Sequence, residues 1–120
     1  MKIYVVGFGP GGADQITPRA LEALRQSDVI AGYDLYIELI KDMIEGKKLI
    51  QTPMKKEVDR CKLAIEEALK GHTVAMISSG DAGVYGMAGV IHELCADHPE
   101  IEIEVVAGIT AACSGAAVMG

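Results

Sequence analysis

The stretch Val74-Ala75-Met76-Ile77-Ser78-Ser79-Gly80-Asp81-Ala82-Gly83-Val84-Tyr85-Gly86 runs from an apolar segment into a polar, glycine-punctuated turn. Its first half, Val74 to Ile77, reads as a buried strand. Its second half reads as a loop in which glycines let the backbone approach a ligand closely. The same grammar occurs twice more. Ile3 to Val6 leads into Gly7-Phe8-Gly9-Pro10-Gly11-Gly12, and Ile103 to Val106 leads into Ala107-Gly108-Ile109-Thr110-Ala111-Ala112. Several such loops at one edge of a parallel sheet build a single small-molecule site.

Strand and helix patterns alternate between these segments. Thr17 is placed to cap a helix with Pro18 at its first position, running to about Gln26 with Leu21 and Leu24 inward. Val29 to Ala31 reads as a short strand. Asp34 to Ile44 reads as a helix with Leu35, Leu39 and Met43 on one face and Gly46 as its stop. Leu49 to Gln51 is a weaker strand closed by Pro53. Glu57 to Lys70 is the clearest amphipathic helix, its stripe being Val58, Cys61, Ile65, Ala68 and Leu69, with Gly71 ending it. A further helix is expected from about Val84 to Ala96, and another over Thr110 to Met119. The expected fold is α/β, a five-stranded, mostly parallel sheet with helices on both faces. The small-residue run from Ala111 to Gly120 has no polar tail. The expectation is that residues 1–120 form the first domain of a two-domain protein, with the second absent.

Composition narrows the class. A chain of 120 residues suits one domain with a real core. Its net charge of −6 and four tyrosines, one phenylalanine and no tryptophan disfavour a nucleic-acid partner. The apolar stretches are too short for a bilayer, and no basic-then-apolar leader opens the chain, so a cytoplasmic protein is expected. Cys61, Cys95 and Cys113 lack metal-ligand spacing and read as buried thiols.

Three chemistries compete for the glycine loops. Gly7-x-Gly9-x-x-Gly12 followed by Asp34 matches a dinucleotide-binding fingerprint, which would suit a nicotinamide dehydrogenase. Against it, Pro10 removes an amide donor and the helix cap lies far beyond Gly12. A receiver-like binding module would share the alternating pattern. It needs acceptor carboxylates where this chain has Gly7-Phe8-Gly9 and Gln51-Thr52-Pro53. The third reading rests on Ser79-Gly80-Asp81-x-Gly83-x-Tyr85-Gly86 taken with the other two loops. Each residue also has a plain structural role open to it. Asp34 and Asp81 suit helix starts, Lys55 suits a solvated surface, and Lys55, Lys56, Arg60 and Lys62 suit the outer face of a helix.

Together the loops resemble the tetrapyrrole methylase family, enzymes of corrin and sirohaem synthesis that use S-adenosylmethionine. Gly7 to Gly12 is similar to that family's opening loop and Thr17-Pro18-Arg19-Ala20-Leu21 to its first helix. Ser79-Gly80-Asp81 and Val106-Ala107-Gly108-Ile109-Thr110-Ala111 are similar to its cofactor loops, with Ala107 where the family usually has proline. Ile30 to Tyr36, Met54-Lys55-Lys56-Glu57-Val58 and Ser78 to Gly89 most resemble the precorrin-3B C17-methyltransferase and cobalt-factor III branch. The resemblance implies methyl transfer to C17 of precorrin-3B or cobalt-factor III with ring contraction, in cobalamin biosynthesis. It implies S-adenosyl-L-methionine held by Pro10, Ser79, Gly80, Asp81, Val84, Tyr85, Thr110 and Ala111, with Asp34 and Lys55 in proton transfer and no metal ligands. It also implies a homodimer, and a donor cleft between two domains, so that residues 1–120 alone would be inactive.

Overall fold

The computed structural model describes residues 1–8, 16–53 and 56–106. Five strands, β1 (Lys2–Phe8), β2 (Val29–Tyr33), β3 (Lys48–Thr52), β4 (Thr73–Ser79) and β5 (Glu102–Val106), form one sheet. Their order is β3-β2-β4-β1-β5, and every pairing is parallel. Parallel strands need crossovers, and helices supply them. α1 (Pro18–Gln26) and α2 (Asp34–Leu39) cover the face carrying Tyr4, Val6, Ile30, Ala75 and Ile77. α3 (Glu57–Leu69) and α4 (Gly80–Leu94) cover the face carrying Ile3, Val5, Ala31, Val74 and Met76. Cys61 on α3 and Cys95 just after α4 are buried as expected, and Cys113 lies outside the described residues.

Strand order separates the competing folds. A dinucleotide-binding sheet runs 3-2-1-4-5-6 and a receiver-type sheet runs 2-1-3-4-5. Here β1 and β4 have exchanged places relative to the first, and β1 lies far from its position in the second.

α1 forms as expected. Thr17 Oγ1 accepts a hydrogen bond of 3.1 Å from the Ala20 amide, and Pro18 takes the first helical position. Ala20, Ala23 and Leu24 are its buried residues, whereas Leu21 is only half-buried. α2 departs from expectation. It stops at Leu39 and continues as a 3-10 turn over Lys41–Met43. Ile37, Ile40 and Ile44 are buried, while Leu35 and Leu39 are 56% and 47% exposed. The segment is apolar on two sides, and the tighter 3-10 period brings Ile40 and Ile44 under the same face as Ile37. In α3 the inward stripe is Cys61, Ala64, Ile65 and Ala68, with Arg60 and Glu67 also buried. Val58 and Leu69, in its first and last turns, stay exposed. Small Ala64 and Ala68 let the helix approach closely, which leaves the contact stripe narrow. Gly46 and Gly71 end their helical segments at φ 81° and 96°, as the sequence indicates.

Glu67 sits at the end of α3 nearest the amino edge of the sheet. Its side chain is 7% exposed, and Lys48, Lys70 and His72 approach it at 2.8, 3.1 and 2.9 Å. Hydrogen bonds from Lys48, then His72 and Lys70, hold its carboxyl at about 2, below the ordinary 4.5. As pH falls, the unfolded chain takes up this proton first. The stabilisation is therefore complete above about 4.5 and gone once pH has fallen through about 2. Glu67→Gln should lower the melting temperature at pH 6, and the gap from wild type should close between these two values. A gap that stays constant across that window in thermal melts would show that Glu67 carries no such linkage.

Candidate functional site

The glycine-bearing strand ends come together. β4, β1 and β5 are consecutive neighbours in the sheet. Gly7 pairs with Ser78 and Phe8 with Ser79, so β1 and β4 finish level at the carboxyl edge, while β5, whose Val106 pairs with Val6, ends two residues short of them. The connection after β1 leads to α1 on one face, and β4 runs directly into α4 on the other. Adjacent strands whose connections depart to opposite faces leave a crevice between them, the usual ligand position in open α/β sheets.

β4 passes into α4 without a loop. The helix begins at Gly80, four residues before the expected Val84. Asp81, Val84 and Tyr85 therefore lie in its first two turns rather than on a polar loop. First-turn amides have no intrahelical acceptor and face the edge as hydrogen-bond donors. Tyr85 is 61% exposed. Ser79 is the last residue of β4. Pro10 follows β1, and Thr110 and Ala111 follow β5; all three lie outside the described residues, as does Lys55.

Asp34 occupies the neighbouring position. It opens α2 directly from β2, which lies beside β4. Ala31 pairs with Met76; three residues further along the chain from each stand Asp34, just past the end of β2, and Ser79, the last residue of β4. Asp34 is exposed and is the first helical residue, not the cap, which is Tyr33. Tyr33 and Tyr36 bracket it with their rings edge to face, centroids 5.3 Å apart at 88°. An exposed carboxylate on a short, braced helix start is free to meet a ligand at the edge.

Arg60 was expected with Lys55, Lys56 and Lys62 on the outer face of α3. The structure buries it to 4% exposure, with Nε donating to Thr52 Oγ1 at 2.7 Å. Lys56 and Lys62 remain exposed. The signal was present in the spacing, because Arg60 precedes Cys61 at the inward edge of the α3 stripe. Cys61 itself is no nucleophile: burial pushes its thiol up to about 11.

The chain matches the tetrapyrrole (corrin/porphyrin) methylases over residues 2–120 and belongs to that family. Among its relatives is the cobalt-factor III methyltransferase of Priestia megaterium, 46% identical over 99% of this chain and 23% of the relative. The probable cobalt-factor III C(17)-methyltransferase of Salmonella typhimurium is 43% identical over 98% of this chain and 49% of the relative. The crystal structure of the methyltransferase CobJ superposes with a TM-score of 0.78 at 40% identity, covering 98% of this chain and 50% of that one. The chain thus spans about a quarter to a half of the length of these proteins.

Proposed function

We propose that this chain serves S-adenosylmethionine-dependent methyl transfer to C17 of precorrin-3B or cobalt-factor III, with ring contraction, in cobalamin biosynthesis. The observation that carries the reading is that β4, β1 and β5, each leading in sequence into a glycine-bearing segment, are neighbours at one edge, with Asp34 following the next strand, β2. The names of the relatives direct that edge to a corrinoid substrate.

The sulfonium donor supplies a methyl cation equivalent when bound. Ser79, Gly80, Asp81, Val84 and Tyr85, at the β4–α4 junction, hold it largely through backbone, joined by Pro10 from the first loop and Thr110 and Ala111 from the last. Gly80 fits this role because it lacks a side chain where first-turn amides point outward. Placing the donor in line with an electron-rich ring carbon and excluding water provide most of the rate. Asp34 and Lys55 move protons at the macrocycle. The assembly is a homodimer.

The donor class is testable with protein made from the full natural reading frame. Calorimetry should detect S-adenosylhomocysteine binding and none for nicotinamide dinucleotides. α1 starts at Pro18, too far past Gly12 for its amides to meet a pyrophosphate. Tight dinucleotide binding without a response to S-adenosylhomocysteine would overturn the methylase reading for this site.

A further inference from the structure

Aromatic residues are few in this chain and unevenly placed. There are four tyrosines and one phenylalanine. Tyr4 lies within β1, packs under α1 and donates from its hydroxyl to Gln26 Oε1 at 2.8 Å. The others gather at the carboxyl edge of the sheet. Phe8 ends β1, Tyr33 ends β2, Tyr36 lies in the first turn of α2, and Tyr85 lies in α4 just beyond the β4–α4 junction. Core filling does not account for Tyr33 or Tyr85. The largest fully buried side chains among the described residues are aliphatic or methionine, such as Leu24, Met76, Ile77 and Ile91. Tyr33 is half-buried and is part of neither side of that core, and Tyr85 is 61% exposed.

Tyr33 is also held in place. Its ring and that of Tyr36 meet edge to face, centroids 5.3 Å apart at 88°. The contact ties the end of β2 to the first turn of α2, with the exposed Asp34 between the two in sequence. In such a pair one ring presents its edge to the other's face, so each keeps at least one face clear of the other. A ring fixed before the ligand arrives lowers the ordering cost of binding. A held, partly exposed aromatic ring at a ligand edge suits a flat conjugated ligand, which stacks on it. Adjacent strands are about 4.8 Å apart, and a macrocycle is broader than that, so it can lie across the ends of β2 and β4 together.

We infer that Tyr33, held by Tyr36, stacks on one face of the macrocycle and so sets its position over Asp34. This rests on the corrinoid reading above. Stacking fixes the plane of the substrate and leaves its peripheral groups to other contacts.

The test uses protein from the full natural reading frame and two tetrapyrrole probes followed by absorbance. Uroporphyrin III is flat with both faces open, whereas dicyanocobyrinic acid carries a cyanide on each face, which blocks stacking. Both bear peripheral carboxylates. Tyr33→Leu should lose roughly tenfold in affinity for uroporphyrin III and little for dicyanocobyrinic acid, with S-adenosylhomocysteine binding unchanged. Tyr33→Phe keeps the ring and should bind both probes as wild type does. At saturation the Soret band of bound uroporphyrin III should be red-shifted in wild type and Tyr33→Phe, and should move back toward its free position in Tyr33→Leu. Tyr33→Met carries the same readouts if Tyr33→Leu does not fold. Equal losses for both probes, no loss, or a loss in Tyr33→Phe as large as in Tyr33→Leu would overturn the inference and leave the methylase reading standing. Wild type that binds S-adenosylhomocysteine but neither tetrapyrrole would overturn both.

Discussion

Asp34→Asn should reduce methyl transfer by about a hundredfold or more, the usual range for losing a positioned acid or base. Asparagine keeps the shape and removes the ability to exchange a proton. The residue is exposed and makes no side-chain cap for α2, so the melting temperature should hardly move. Binding of S-adenosylhomocysteine should also persist, because the donor is assigned to the β4–α4 junction and not to α2. Steady-state kinetics beside a thermal melt separates the outcomes. Full activity in the variant would reduce Asp34 to an acidic residue that favours a helix start.

Gly32→Ala should be strongly destabilising. A Cβ at Gly32 would lie 2.4 Å from Ile77 Cγ1 and 3.0 Å from its Cδ1. Ile77 is fully buried and packs in the core under α1 and α2, so it has little room to yield. Overpacking of this kind costs about 1–3 kcal/mol. Denaturant unfolding of Gly32→Ala should show it as a lower midpoint. Ile77→Ala added to the same chain should cost less than the two changes measured separately, since it removes the clash and the new Cβ fills part of the cavity it leaves. Strictly additive costs would mean that the contact between β2 and β4 relaxes without strain. The position matters for function because Gly32 lies on β2 two residues before Asp34, which opens α2.

The sheet was readable because its strands are continuous apolar runs, and a strand buried on both faces needs nothing else. Val74 to Ile77 and Ile3 to Val6 are of this type. Helix phase was harder wherever two faces were apolar. In α2, leucine at 35 and 39 competed with isoleucine at 37, 40 and 44, and only packing on the sheet decided between them. The start of α4 was placed late because Gly80 and Gly83 weaken a helical pattern, although Gly80 is what allows strand to become helix without a loop. At the site, the neighbouring of β4, β1 and β5 is a property of topology that no local pattern encodes. Arg60 was legible as a charge near other charges. Its place beside Cys61 on the inward stripe was also in the spacing, but its partner, Thr52 on β3, was not.

The strand order also bears on how the chain is made. Of these five strands β1 is the first to leave the ribosome, yet it has no neighbour until much later. Lys2 pairs with Thr73 on one side and with Glu102 on the other. Translation at roughly 5–20 residues per second leaves it waiting for several seconds. During that time β2 and β3, which are neighbours in sequence and in the sheet, can pair alone. The ligand edge cannot exist before its central strand is inserted between β4 and β5. Formation of the site is therefore a late event in synthesis, and the apolar run from Ile3 to Val6 is the part of the newborn chain with most need of protection.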